Sequence, residues 1–397
     1  MVEVATALET VLGRAAVLPT EAVLLPLALG RVLVEAIESD IDSPPYTKSL
    51  MDGYAVRSAD CIGPATLTIV EEVAAGRMPT RAVAAGQATR IMTGAPIPDG
   101  ADAVVPHEET EAGGTSVRIG RAVHKGEFIL ERGREMRAGE VVVLKGTSLT
   151  PQAIGLLAAV GRMSMRVHRT PRVAVLATGD ELVEVNEKPG PGQIRNSNGP
   201  MLCALASRAG ATVEYLGIAG DDRERLSRLV ARGLDVADVL VLAGGVSAGK
   251  FDLVPDVLKN QGVTAHFHKV RMKPGKPLLF GSRGDRLVFG LPGNPVSSFV
   301  GFELFVRPAL RKMMGHEVTG PTFVSVRLAA PFAAKNDRPT YLGARLDRSN
   351  GLRVHPTATF GSADLRGLLS AEALVSLPAG SVELAAQEHL PTLILGE

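Results

Sequence analysis

Five apolar runs in the middle of the chain, Val173 to Ala177, Val213 to Ile218, Val239 to Ala243, Leu278 to Phe280 and Leu287 to Phe289, show almost no polar alternation. Short runs without a polar face are expected of strands buried on both sides. Helix-like stretches lie between them. Pro200 to Ala209 is framed by Asn198 and Gly210, Asp222 to Leu234 follows Asp221 as N-cap, and Asp252 to Lys259 and Pro295 to Leu310 complete the alternation. Strands alternating with helices predict right-handed crossovers and a doubly wound, mostly parallel sheet, with ligands beyond the carboxyl ends of the strands.

Outside this segment the pattern changes. Residues 3 to 40 read as helix followed by a strand at Val32 to Ile37, with Thr20 capping a second helical stretch. From Asp42 to about Met136, Gly, Pro and short alternating strands such as Thr66 to Val70, Arg90 to Thr93 and Ser116 to Ile119 predict a β-rich domain. Pro151 to Val160 is an apolar helix expected to pack beside the first helices. The last stretch returns to short strands broken by Pro and Gly, suggesting a small barrel or sandwich. The expected organisation is therefore an α/β multidomain chain. A discontinuous helical and linker domain covers 1–41 and 137–169, a β-rich domain 42–136, an α/β domain 170–318 and a C-terminal β barrel 319–397.

Length and charge narrow the function. A chain of 397 residues exceeds one ordinary core. Lys and Arg (43) nearly balance Asp and Glu (42), so no global field favours nucleic acid or an anionic membrane, and any anion site must be local. Cys61 and Cys203 are distant from one another and form neither a disulfide framework nor a thiolate metal motif, which suits a reducing compartment. The N-terminus carries no secretory pattern, and the apolar stretch Ala22 to Leu29 is too short to span a bilayer. A cytoplasmic protein is expected.

Five turns hold the candidate chemistry: Thr178-Gly179-Asp180-Glu181, Asp221-Asp222, Gly244-Gly245-Val246-Ser247-Ala248-Gly249, Lys273-Pro274-Gly275-Lys276-Pro277 and Pro292-Gly293-Asn294-Pro295. Each is read as following an apolar run. Gly244 and Gly245 permit positive φ, so freed N–H groups can cradle phosphate, although a merely tight turn fits equally. The spacing is neither Walker A nor G-x-G-x-x-G, which removes ordinary NTPases and Rossmann dehydrogenases. Lys273 and Lys276 sit on a turn stiffened by two prolines, suited to clamping an anion, with a solvated basic turn as the alternative. Pro292 to Pro295, with Ser297 and Ser298, opens a helix whose free N–H groups and hydroxyls could take a second anion, although a plain turn with Pro at the helix start fits better without further context. Asp180, Glu181, Asp221 and Asp252 could share Mg²⁺ with phosphate, while N-capping also explains two of them. Asp52-Gly53 between apolar residues reads as a hairpin turn. His266 and His268 alternate on one strand face without a third ligand nearby.

Taken together, Ser49 to Val56, Ile91 to Pro96, Ala177 to Leu182, Gly244 to Ser247, Lys273 to Pro277 and Gly290 to Val296 resemble the molybdopterin molybdenumtransferase family in order over nearly the whole chain. That family includes the bacterial molybdenum insertase and the E domains of homologues such as gephyrin. The resemblance implies a homodimer with its active site between the α/β domain of one subunit and the β-rich domain of the other. It also implies the reaction: adenylylated molybdopterin and molybdate react with Mg²⁺, AMP leaves, and molybdenum stays on the pterin dithiolene. By matching position, Asp52, Thr93, Lys273 and Lys276 would be catalytic. Gly244, Gly245, Ser247, Pro292, Pro295, Ser297, Arg338 and Ser362 would bind substrate, and Asp180, Glu181, Asp221 and Asp252 would serve metal or nucleotide phosphate. Lys273, Lys276 and Ser297, with Arg338 and Ser362, would hold molybdate. One departure is clear: Gly133-Arg134-Glu135 stands where the family usually has Gly-Glu-Asp. The resemblance admits the pterin adenylyltransferase as a further partner. A pterin nucleotidyltransferase and a gephyrin-like non-catalytic scaffold remain alternatives. Molybdate and tungstate are not distinguished, being tetrahedral dianions of nearly equal size.

Overall fold

A computed structural model describes residues 1–246, 253–349, 351–357 and 361–396. Its central sheet runs in the order Thr212–Ile218, Arg172–Ala177, Val239–Ala243, Arg286–Leu291, Pro277–Arg283, Thr264–Lys269. The first four strands are parallel, and the last two run antiparallel to their neighbours. All five residues of Val239–Ala243 are buried, because helices cover both faces. Odd-numbered side chains such as Val173, Val175, Val239 and Val241 join Leu202, Val300 and Phe305 on one face. Even-numbered Ala174, Leu176, Leu240 and Leu242 join Leu226, Val230 and Leu258 on the other. Each fully buried Val or Leu contributes about 1.5–3 kcal/mol, which fixes the register, since a one-residue slip would exchange the faces.

The strand ends hold the candidate turns. Thr178, Gly244 and Pro292 directly follow three parallel strands, and Asp221 follows the fourth by a short bend. The Lys273 to Pro277 turn precedes its strand rather than following one of the parallel runs. Pro277–Arg283 is antiparallel to Arg286–Leu291, with Leu279 opposite Gly290, so its beginning lies beside the end of the parallel strands. The described residues of all five turns therefore share one edge.

At the opposite edge a buried carboxylate ties the sheet to the chain entering it. Asp238 accepts both terminal nitrogens of Arg169 at 2.7 Å, Nη1 of Arg286 at 2.8 Å and the Arg172 N–H at 2.9 Å. Burial pushes its carboxyl up, but these partners, Arg169 first, hold it below the ordinary value.

The remaining units have their own cores. Val4–Arg14 is helical but buries Ala7 and Val11 in the α/β core, not beside Pro151–Ala159. Thr20 to Leu24, read from sequence as the start of a helix, is a strand paired with Ser164–His168. Pro19 and Pro26 bracket this segment, and its ladder partner lies more than 100 residues away, out of reach of a local reading. Pro151–Ala159 packs with Val23, Leu33 and Val167. A six-stranded sheet orders Ala103–Pro106, Gly53–Val56, Gln87–Ile91, Ala65–Val73, Ser116–Ile119 and Thr110–Gly113. Five strands, Phe323–Leu328, Arg353–Pro356, Thr340–Asp347, Ala373–Leu377 and His389–Ile394, close a barrel. No helix among the described residues is long and apolar enough to cross a membrane.

Candidate active site

A cavity of about 360 Å³ opens between the sheet edge and the barrel. Lys273, Lys276, Pro292 and Ser297 line it from the α/β side, and Arg338 and Ser362 line it from the barrel side. Backbone hydrogen bonds set this junction. The Lys273 N–H donates to the Pro339 carbonyl at 2.8 Å, and the Lys273 carbonyl accepts from the Tyr341 N–H at 2.7 Å. The Val296 N–H donates to the Ser362 carbonyl at 3.0 Å, while Asn294 Nδ2 donates to Ser362 Oγ at 2.9 Å. Two cationic side chains on the Lys273 turn thus face a third from a strand end more than sixty residues later. Pro295 begins the helix beside the cavity rather than lining it.

The glycine turn lies along the same edge. Gly244 and Gly245 have φ of 97° and 63°, and a Cβ at Gly244 would sit 2.4 Å from the Thr178 carbonyl oxygen. Only glycine permits that approach. Among the described residues the Thr178 hydroxyl, buried beneath this turn, has no partner, and Asn198, donating to the Gly293 carbonyl at 2.6 Å, leaves its buried Oδ1 unpaired. Ser247 and Asp252 lie outside the described residues.

Asp180 and Asp221 are adjacent, since Asp180 Oδ1 accepts the Asp221 N–H at 2.7 Å. Glu181 folds its carboxylate back over the Gly179 backbone. The helix cap belongs to Asp222, not Asp221: its Oδ1 accepts the N–H groups of Glu224 and Arg225 at 2.9 and 3.0 Å. Among the described residues no three His, Cys, Asp or Glu side chains gather as a metal site. Two hard carboxylates nevertheless suit Mg²⁺, which commonly takes one or two from protein and the rest from water and phosphate. His266 is hydrogen-bonded to Ser282 Oγ at 2.9 Å.

Asp52 and Thr93 meet in the β-rich unit. Asp52 Oδ1 accepts the Thr93 N–H at 2.6 Å and its hydroxyl at 2.7 Å, which holds the carboxyl below its usual value and keeps it ionised. Gly53 begins a central strand and makes no hairpin, because Lys48–Ser49 pairs with Ile129–Leu130 while Gly53–Val56 pairs with two other strands. A Cβ there would stand 2.0 Å from the Val105 carbonyl oxygen, so the glycine serves close strand approach. Among the described residues no hydrogen bond or ion pair joins this sheet to the α/β sheet. Glu135 accepts from Ser43 Oγ at 2.7 Å, and the adjoining Arg132 to Arg137 segment lines a shallow polar groove.

Asn294, Thr340 and Asn198 were not singled out from the sequence as contributors to the site. Asn294 belongs to the Pro292 to Pro295 turn, whereas Thr340 is brought in by the pairing of Lys273 with the barrel.

Three family models match the chain: the MoeA N-terminal region (domains I and II) over residues 2–161, a probable molybdopterin binding domain over 174–312, and the MoeA C-terminal region (domain IV) over 325–393. The chain is 36% identical over 360 residues to a molybdopterin molybdenumtransferase of Staphylococcus epidermidis, covering 89% of this chain and 86% of the relative. It is 35% identical over 402 aligned positions to one from Staphylococcus aureus, covering 100% and 96%. The crystal structure of a molybdopterin biosynthesis moeA protein from Pyrococcus horikoshii OT3 superposes with a TM-score of 0.83 at 31% identity, covering 99% of this chain and 100% of that one.

Proposed function

The chain belongs to the molybdopterin molybdenumtransferase family, and from that premise we propose how its residues insert molybdenum into molybdopterin. It is a transferase of molybdenum cofactor biosynthesis, with molybdopterin and molybdate as substrates. The observation that carries the reading is the shared cavity of Lys273, Lys276, Ser297, Arg338 and Ser362.

Molybdate and an adenylylated pterin repel one another, so the barrier to their meeting is largely electrostatic. Preorganised cations and dipoles lower such a barrier because they need no rearrangement as charge develops. In this proposal Lys273, Lys276 and Arg338 hold molybdate, and the hydroxyls of Ser297 and Ser362 donate to its oxygens. The Gly244 and Gly245 backbone, with Ser247, takes the phosphate, while Pro292 and Pro295 hold the adjoining turn rigid. Asp180 and Asp221, with Glu181 next to Asp180 in the chain and Asp252 by family resemblance, would hold Mg²⁺, which when bound offsets phosphate charge. Asp52 would stand ionised, its Oδ1 occupied by Thr93 and its Oδ2 open to accept a proton. Because Asp52 and Thr93 sit on a separate sheet, we propose that a second copy of the chain brings them to this cavity, making the working unit a homodimer.

The test is molybdate-dependent release of AMP from adenylylated molybdopterin by purified protein with Mg²⁺. Release that ignores molybdate would favour a hydrolytic enzyme, and no release at all would remove the proposed AMP step.

A further inference from the structure

The described lining of the cavity supplies three cations, Lys273, Lys276 and Arg338, and no carboxylate. Asp337 adjoins this lining through Arg338. Asp337 Oδ2 accepts from Arg338 Nε at 3.0 Å and also from Arg338 Nη2, and neither bond uses Nη1. The aspartate side chain is 62% exposed and the arginine 24%, so the guanidinium is the inner member of the pair. Arg338 holds the Asp337 carboxyl below its ordinary value, and Lys273 is near enough to pull it further the same way.

An ion pair this exposed adds little to stability, so its consequence lies in the charge it subtracts. Three cations less one anion leave a net charge of plus two, equal and opposite to that of a tetrahedral dianion. We propose that Asp337 is an affinity-tempering residue of the oxyanion site: its charge opposes a bound dianion more strongly than a monoanion and keeps the three cations from holding the dianion too tightly. The inference rests on reading this cavity as the molybdate site.

The proposal has a Coulomb signature. The penalty Asp337 imposes on a bound anion is proportional to the charge of that anion, so removing it improves dianion affinity by the square of the monoanion factor. For a charge on the order of 7 Å away in a water-like medium, the gain is about threefold for a monoanion and about sevenfold for a dianion. If Asp337 instead served to orient Arg338, its loss would weaken every anion alike.

Molybdate, sulfate and perchlorate share a tetrahedral shape and differ in charge, so they serve as probes. Calorimetric titration at fixed ionic strength would compare the full-length protein with Asp337→Asn, Asp337→Ala and Lys276→Ala, each checked for folding by thermal melting. Both Asp337 variants should bind molybdate and sulfate about sevenfold more tightly and perchlorate about threefold more tightly. Unchanged or weaker binding in those variants, while Lys276→Ala loses molybdate, overturns the role of Asp337 and leaves the oxyanion site standing. Failure of the unaltered protein to bind any of the three, or wild-type affinity in Lys276→Ala, would overturn the site itself and this inference with it.

Discussion

Replacing Gly53 by Ala tests whether close strand approach, rather than turn formation, explains the glycine beside Asp52. The new Cβ would lie 2.0 Å from the Val105 carbonyl oxygen, 2.8 Å from its carbon and 3.0 Å from Pro106 Cα. All three are backbone atoms, so relief requires the Gly53–Val56 and Ala103–Pro106 strands to part. Overpacking of this kind costs about 1–3 kcal/mol, and each ladder hydrogen bond lost adds about 1 kcal/mol. Parting the strands also threatens the bond from the His107 N–H to the Asp52 carbonyl. A total of about 3–5 kcal/mol follows for two ladder bonds. Because the chain has several cores, one global melting temperature would blur the effect, and native-state hydrogen exchange of residues 53–56, 87–91 and 103–106 isolates it. A loss of about 3 kcal/mol appears there as roughly a hundredfold faster exchange. Wild-type protection in those strands would refute the steric reasoning.

Other expectations follow from the same geometry. Lys276→Ala should slow AMP release on the order of a hundredfold, and Asp52→Asn comparably, with melting temperatures unchanged; wild-type turnover in either would remove that residue from the proposed chemistry. Asp238→Ala should destabilise by about 1.5–3 kcal/mol in chemical denaturation, since it removes the shared partner of Arg169 and Arg286, whose partly exposed guanidinium groups can still reach water. The depressed Asp238 carboxyl adds stability above its unfolded value of 3.8, and that share should fade as pH falls through its lower folded value. His316 has the opposite charge type: burial, then Arg311, pushes it from 6.5 to about 4. Its neutral form is the folded one, so stability should decline as pH drops from about 6.5 towards 4, and His316→Gln should flatten that part of the denaturation profile.

Local pattern revealed the α/β segment well because its strands are buried on both faces, and Val239–Ala243 appears with the same ends in sequence and structure. It was less informative where pairing is distant. Thr20 to Leu24 carries a capping residue and apolar side chains, yet its partner at Ser164–His168 decides for a strand. Asp221 and Asp222 are indistinguishable as caps from composition, and only the backbone direction selects Asp222. The Asp52-Gly53 pair has hairpin chemistry, but the carbonyl of Val105 gives the glycine a different purpose. The cavity itself is non-local: sequence names Lys273, Arg338 and Ser362 through family likeness, whereas their proximity comes from the Lys273–Pro339 and Val296–Ser362 hydrogen bonds.

One oxyanion pocket between the Lys273 turn and the barrel would reveal itself in anomalous diffraction at the molybdenum edge from molybdate-soaked crystals. A single strong peak is expected within hydrogen-bonding reach of Lys273, Lys276, Arg338 and Ser362. A well-occupied peak elsewhere, with this cavity holding only solvent, would contradict it.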